Sequence, residues 1–113
     1  MKDDSVYLKH ILDAIARIEE YAGRVERSAF MTNRLVQDGV IRQVEVIGEA
    51  AKRVSEELKR KCPDIPWKDI TGMRNKLIHD YFGVDLEAVW ETVRKDVPRL
   101  KSQVEALLRK IHS

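Results

Sequence analysis

The stretch from Arg34 to Leu58, RLVQDGVIRQVEVIGEAAKRVSEEL, decides the fold class of this chain. Its apolar residues return at steps of three and four, the spacing that places side chains along one face of an α-helix. These residues are Val36, Val40, Val44, Ile47, Ala51, Val54 and Leu58. The pattern predicts one long helix that ends in the basic run 59–61, just before Pro63.

Two further apolar stripes with helical spacing lie on either side of this stretch. The first predicts a helix that begins near Asp4 or Ser5 and stops at Gly23. Its members are Leu8, Ile11, Ile15, Ile18 and Ala22. The second crosses Pro98 without losing phase, so it predicts two helices nearly in line or one helix kinked at that proline. Its members are Leu86, Trp90, Val93, Val97, Leu100, Val104, Leu107 and Ile111.

The segments between the stripes are short. Residues 24–33 predict a connection or a single helical turn, and residues 63–67 predict a rigid connection rich in proline. Gly72 disfavours one uninterrupted helix over 66–81, because glycine destabilises a helix interior. No strand pattern, repeat or linker interrupts the series. The sequence therefore predicts an all-α protein in which residues 1–113 form one up-and-down bundle of four or five helices.

Composition excludes several classes of protein. The 21 basic and 19 acidic residues give a net charge of +2, too balanced for composition alone to indicate nucleic-acid binding. The single cysteine, Cys62, excludes an internal disulfide and a cysteine-based zinc site. The chain starts without an apolar signal core, and no apolar run approaches the ~20 residues of a membrane span. We therefore expect a cytoplasmic protein with no membrane association.

Residues 73–81, MRNKLIHDY, hold the densest group of reactive side chains. A histidine such as His79 titrates near neutrality and can transfer a proton. Arg74 can bind a phosphate and offset charge that develops on it. Asn75 can orient either partner, and Tyr81 can hydrogen-bond a phosphate or accept a transferred group. Together these groups suffice for metal-free RNA cleavage, although a polar structural network is the simpler alternative.

An ideal helix would not bring these side chains together. Each helical residue turns by ~100°, so Arg74 and Tyr81 would share a face while His79 would point well away from both. Two arrangements solve this problem. The helix can end at His79 so that the chain turns, which Gly83 permits, or a second protomer can supply part of the site.

The spacing R-x4-H-x-Y, formed by Arg74, His79 and Tyr81, resembles the signature of the HEPN superfamily. More specifically, the chain resembles the HepT-type toxins, which are paired with a small nucleotidyltransferase antitoxin of the MNT type. The likeness covers nearly the whole chain. The other blocks that match this group are IGEAA at 47–51, IPW at 65–67, GMRN at 72–75, LIHDY at 77–81, and VD at 84–85 with VW at 89–90.

This resemblance implies a HEPN-like helical bundle that forms a homodimer with two copies of the motif across a shared cleft. It implies a ribonuclease without metal or other cofactor, in which Arg74 and His79 carry catalysis. It also implies that the antitoxin silences the enzyme by transferring AMP from ATP to Tyr81. The alternative is a non-catalytic interaction module in which segment 74–81 binds the nucleotidyltransferase and is modified by it.

Two residues of the long central stretch are candidates for supporting roles. Glu49 lies on the far side of the helix from the apolar stripe, so it is either a solvated carboxylate or a group that pairs with Arg74 or orients His79. Gly48 destabilises a helix by ~1 kcal/mol relative to alanine, so it predicts the close approach of another helix or a bound phosphate.

The basic residues have two interpretations. Lys52, Arg53 and Lys76, like the runs 59–61 and 94–95, are either solvated surface or contacts to an RNA backbone. The two tryptophans, at positions 67 and 90, are expected in the core and not as platforms for stacked bases.

Overall fold

The computed structural model describes residues 3–79 and 83–112, except for the side chain of His79. The helices are α1 (Asp4–Ala22), α2 (Arg27–Thr32), α3 (Arg34–Arg53), α4 (Glu56–Lys61), α5 (Trp67–Thr71), α6 (Met73–Leu77), α7 (Leu86–Glu91) and α8 (Val97–His112). A π-helical segment, Thr92–Asp96, joins α7 to α8. Two short strands, β1 (Ile78–His79) and β2 (Gly83–Val84), pair antiparallel. The predicted all-α class is confirmed, with this small ladder as an addition.

Helix α1 runs antiparallel to both α3 and α8. At one end of the α1–α3 pair, the carboxylate of Asp4 accepts hydrogen bonds from Ser55, just beyond the end of α3. At the other end, the ring of Tyr21 lies so close to Gly39 that an added Cβ would stand 3.0 Å from it. The ammonium of Lys101, early in α8, lies 2.9 Å from the carboxylate of Glu19, near the end of α1. The arrangement is the predicted up-and-down packing.

The core consists of the predicted apolar stripes. All five stripe residues of α1 are buried, from Leu8 to Ala22. In α3 and α8 the middle of each stripe is buried, whereas Ile111 at the C-terminal end is exposed. Trp67 is buried, as expected for a core tryptophan. Within the described part of the chain, no helix is both long and apolar enough to span a membrane.

Helix α1 begins and ends close to the predicted limits. It starts at Asp4, but the capping residue is Asp3, whose carboxylate accepts a hydrogen bond from the backbone N–H of Ser5 at 2.9 Å. That hydrogen bond lowers the pKa of the Asp3 carboxyl. At the other end, Gly23 donates its N–H to the carbonyl of Glu19, which confirms the predicted stop.

The prediction of one uninterrupted helix over 34–61 is wrong, because the helix is divided at Val54. Val54 is extended, with ψ of 138°, and Ser55 starts α4 by accepting a hydrogen bond from Leu58 N–H. Asp4 fixes this break, since its carboxylate accepts from both the backbone N–H and the hydroxyl of Ser55, at 2.8 and 2.7 Å. The apolar stripe did not reveal the break because Val54 stays buried across it.

The predicted irregularity near Pro98 exists, but it is a π-helical segment that ends just before the proline. The N–H of Val97 donates to the carbonyl of Thr92, five residues earlier. A proline inside an α-helix would clash with the carbonyl four residues before it, here that of Arg94. The wider π-helical turn changes the spacing of these carbonyls, which accounts for a helical run that continues through Pro98.

Arg94 links this π-helical segment to the end of α1. Its guanidinium donates hydrogen bonds to the carbonyls of Ala22, Gly23 and Val25. It also stacks on Trp90, with 4.2 Å between the guanidinium carbon and the ring centroid. Arg94, which belongs to one of the basic runs in the sequence, therefore satisfies the last carbonyls of a helix instead of serving only as a solvated charge.

Replacing Arg94 with alanine should lower the free energy of unfolding by about 1–2 kcal/mol, because several carbonyls lose a charged donor. Urea denaturation at neutral pH measures the change. Lys95→Ala is the matched control, since the Lys95 ammonium contacts only the exposed Glu91 carboxylate, at 2.8 Å, among the described residues. Equal losses in the two variants would show that Arg94 does not hold α1 to this segment.

Candidate functional site

Helix α6 presents three polar side chains to solvent between two buried anchors. Met73 and Leu77, at its ends, lie in the core, whereas Arg74, Asn75 and Lys76 are exposed. The helix has only five residues, too few to be stable by itself. Its orientation is therefore set by the two anchors, and they turn the polar groups outward.

The chain turns immediately after α6, two residues earlier than the sequence analysis allowed. Ile78 is extended, with φ of −117° and ψ of 118°, and pairs with Val84 in the ladder. Gly83 has φ of +81°, a left-handed conformation that glycine adopts without strain, so its predicted role in a turn is confirmed. Asp85 N–H closes the structure by donating to the carbonyl of Leu77 at 2.9 Å.

The turn changes the geometry expected for the motif. His79 lies in a strand, so the helical angle between it and Arg74 no longer applies. The histidine side chain and the whole of Tyr81 lie outside the described residues. The convergence of Arg74 with His79 and the position of Tyr81 therefore stay predictions.

Arg74 is held by a carboxylate of α3. Its Nε donates to an oxygen of Glu45 at 2.8 Å, and the two side chains are 48% and 32% exposed. The carboxylate of Glu49, the partner suggested by the sequence, lies 3.7 Å from the ammonium of Lys52 instead. Glu45 is thus the carboxylate that pairs with Arg74, which corrects the Glu49 pairing; an effect of Glu49 on His79 stays a prediction.

The sequence makes Glu45 a possible partner of Arg74, but it gives no reason to choose Glu45 over Glu49. Glu45 and Glu49 are four residues apart and lie one turn from each other on α3. The choice between them depends on how far along α3 the short helix α6 lies. That register is a tertiary property, set by where the anchors of α6 enter the core.

Helix α5 lies against α3 at Gly48. This glycine is buried, and an added Cβ would stand 3.5 Å from the carbonyl oxygen of Ile70 and 3.6 Å from that of Thr71. Both distances are ordinary van der Waals contacts, so another helix does lie beside this glycine, but at a separation that alanine would also fit. Because α6 follows α5 after one residue, Gly72, this contact also brings Arg74 within reach of α3.

The remaining basic candidates are exposed. Lys52 and Arg53 lie at the end of α3, and Lys76 lies on α6. Their exposure fits either interpretation, so contact with an RNA backbone stays a prediction.

The guanidinium of Arg74 is free on one edge. Its hydrogen bond to Glu45 uses Nε, and the two terminal nitrogens make no hydrogen bond to the described residues. Those two nitrogens form a planar fork that matches two oxygens of a phosphate. The geometry therefore presents a fixed cation, open to solvent, that can bind a phosphodiester.

A pocket lies on another side of α6 and was not predicted from the sequence. It has a volume of about 590 Å³ and is formed between the helices α5 and α6 and the run from the π-helical segment into α8. Met73 and Lys76 contribute from α6, Thr92 from the π-helical segment and Arg99 from α8. Arg74 does not line it. The described residues contain no group of three or more side chains that could hold a metal ion.

Comparison with known proteins gives a consistent result. A family model described as "Ribonuclease HepT-like" matches residues 11–107. A Thermococcus cleftensis protein named "Probable ribonuclease HepT" is 45% identical over 101 residues, which cover 89% of this chain and 92% of that protein. A Caldanaerobacter subterraneus subsp. tengcongensis protein named a "Putative RNase" is 39% identical over 110 residues, with 97% and 98% covered.

A longer relative also matches. A Methanocaldococcus jannaschii protein, named "Gamma-glutamylcyclotransferase and putative RNase", is 44% identical over 110 residues. This match covers 97% of the chain but spans only 50% of the length of that relative. No solved structure matches the chain.

Proposed function

Because this chain belongs to the HepT-like ribonuclease family, we propose that it is a cytoplasmic, metal-independent endoribonuclease. In this proposal it is the toxin of a pair whose antitoxin is an MNT-type nucleotidyltransferase. The observation that carries the proposal is the state of the Arg74 guanidinium. It is exposed on α6 and held by Glu45 at 2.8 Å, and its two terminal nitrogens make no hydrogen bond to the described residues.

The proposed reaction is an internal transesterification of RNA. Arg74 binds non-bridging oxygens of the scissile phosphate and offsets the charge that builds up in the phosphorane-like transition state. The 2′ oxygen forms a bond to phosphorus while the bond to the 5′ oxygen breaks. His79 accepts the proton of the 2′ hydroxyl or supplies one to the leaving oxygen, and Asn75 helps to orient these groups. The products are a 2′,3′-cyclic phosphate and a 5′ hydroxyl.

We also propose that the site is composite, with two copies of the chain facing each other across a cleft. Arg74 and His79 belong to different elements, α6 and β1, which are separated by the turn at Ile78. The exposure of all three polar side chains of α6 leaves this surface accessible to a second copy. A two-fold axis beside α6 would then bring the arginine of one protomer near the histidine of its partner.

Arg74→Ala and His79→Ala should each reduce RNA cleavage by at least about 100-fold, because each removes a group that acts only as charge or protons move. Cleavage of a labelled single-stranded RNA measures the loss, and mass analysis of the products should find the cyclic phosphate. Arg17→Ala is a control, since Arg17 is exposed on α1. Retained cleavage by His79→Ala, or loss of wild-type cleavage on adding EDTA, would contradict the mechanism.

Mixing the two inactive variants tests the composite site. A heterodimer with Arg74→Ala in one protomer and His79→Ala in the other keeps one intact site only if each site combines both chains. After subunit exchange, activity should return to roughly a quarter of the wild-type value. No recovery, with exchange confirmed by native mass spectrometry, would place both groups of a site in one protomer.

Glu45→Ala should lower kcat about tenfold while leaving KM unchanged or reduced, because Arg74 loses its orientation but the site also loses a negative charge. Glu45→Gln should retain most of kcat, since the amide oxygen can still accept the hydrogen bond from Nε. Glu49→Ala, one turn along the same helix, should behave like the wild type. Steady-state cleavage kinetics measure all three, and equal effects of Glu45→Ala and Glu49→Ala would exclude a positioning role.

The proposed silencing reaction transfers AMP from ATP to the Tyr81 hydroxyl and releases pyrophosphate. Incubation with the nucleotidyltransferase partner and ATP should add the mass of AMP to the intact chain, and Tyr81→Phe should abolish the addition. An RNA cleavage assay on the unmodified chain distinguishes a ribonuclease from a non-catalytic interaction module. A chain that is modified but never cleaves RNA would be an interaction module and not an enzyme.

A further inference from the structure

The pocket between α6 and the π-helical segment has no role in the proposed cleavage step. Its volume of about 590 Å³ lies within the range typical of small-molecule sites, ~300–1,000 Å³. The side chain of Gln103 spans one end by donating to the carbonyl of Asp64 at 3.1 Å. The pocket is therefore bounded by contacts between α8 and the connection before α5.

A threonine that lines this pocket has a hydroxyl without a partner among the described residues. Thr92 is only 3% exposed and lines the pocket, yet its hydroxyl makes no hydrogen bond to the described residues. Thr71, by contrast, returns its hydroxyl to a carbonyl of its own helix at 3.0 Å. The hydroxyl oxygen itself keeps some contact with solvent, so it can hydrogen-bond a ligand that enters the pocket. Thr92 also starts the π-helical segment, a distortion that is frequent at functional sites.

The charged groups around the pocket match the parts of a nucleotide. Lys68, Lys76 and Arg99 line it, and none of them forms an ion pair with another residue in the described part of the chain. Ammonium and guanidinium groups bind phosphate oxygens. Three acidic residues, Asp64, Asp69 and Asp96, also line the pocket. Carboxylates accept hydrogen bonds from hydroxyls and from amino groups of bases.

We propose that this pocket binds one nucleotide of a single-stranded RNA substrate, near the phosphodiester held by Arg74. This inference rests on the proposed function. Helix α6 separates the two positions, with Lys76 lining the pocket while Arg74 contacts α3. A helix with its side chains is roughly 10 Å across. The pocket is thus a substrate subsite away from the reacting bond, and it adds affinity without taking part in the chemistry.

Arg99→Ala tests the phosphate contact. For a 2′-O-methyl RNA oligonucleotide, which cannot be cleaved, Kd should rise about tenfold. The slope of log K against log salt should shrink by about 0.7, the loss of one phosphate contact to a single strand. With cleavable RNA, KM should rise while kcat is unchanged. Arg17→Ala, which removes an exposed arginine that does not line the pocket, should change none of these values. Equal behaviour of the two variants would overturn the proposal.

Thr92→Val tests the hydroxyl with almost no change of shape. Affinity for the same oligonucleotide should fall severalfold, while the urea midpoint should stay the same or rise because no protein partner is lost. A lower urea midpoint with unchanged affinity would show that the hydroxyl is structural, and would contradict the subsite.

Titration with a nucleoside monophosphate separates failure of the subsite from failure of the proposed function. Amide resonances of Gly72 and Thr92, which line the pocket, should shift in the wild type and not in Arg99→Ala, whether or not the protein cleaves RNA. Shifts confined to other surfaces, or none at all, would exclude a nucleotide and leave an acidic peptide as the occupant to be considered. Cleavage that is normal in Arg99→Ala would reject the subsite alone.

Discussion

The burial of the α1 stripe against α3 and α8 is the interaction on which the rest of the structure depends. Leu8, Ile11, Ile15 and Ile18 are essentially inaccessible to solvent, and each such side chain contributes about 1.5–3 kcal/mol when fully buried. The short helices α4, α5 and α6 cannot form such a core by themselves, since none exceeds six residues. Their positions follow from the surface that the three long helical runs offer them.

Polar contacts then fix details that apolar packing leaves open. Asp4 determines where α3 ends, and Arg94 holds the end of α1 to the π-helical segment. Helix α5 lies against α3 at Gly48, and the chain that leaves α5 carries Arg74 to Glu45. Each of these contacts joins residues distant in sequence, so the site is a product of the tertiary structure.

This division explains what could be predicted. Helical stripes are local patterns, so the fold class and the core residues followed from the sequence. The break at Val54 and the π-helical segment before Pro98 did not, because the stripe keeps its phase through both. The choice of Glu45 over Glu49 required the register of α6 on α3. The pocket forms where residues 64–76 meet residues 92–103, and no sequence motif marks it.

Helix α6 lies between Arg74 and the pocket, so it can link ligand binding at the two positions. It is five residues long, with the Arg74 guanidinium on one side and a wall of the pocket on another. A helix this short moves as one body. A ligand that displaces it on one side therefore changes the positions of the side chains on the other. If occupancy of the pocket changes affinity at Arg74 by some factor, occupancy at Arg74 changes affinity in the pocket by that same factor. Under the proposed function, one shared element would then sense both the scissile bond and the nucleotides that flank it.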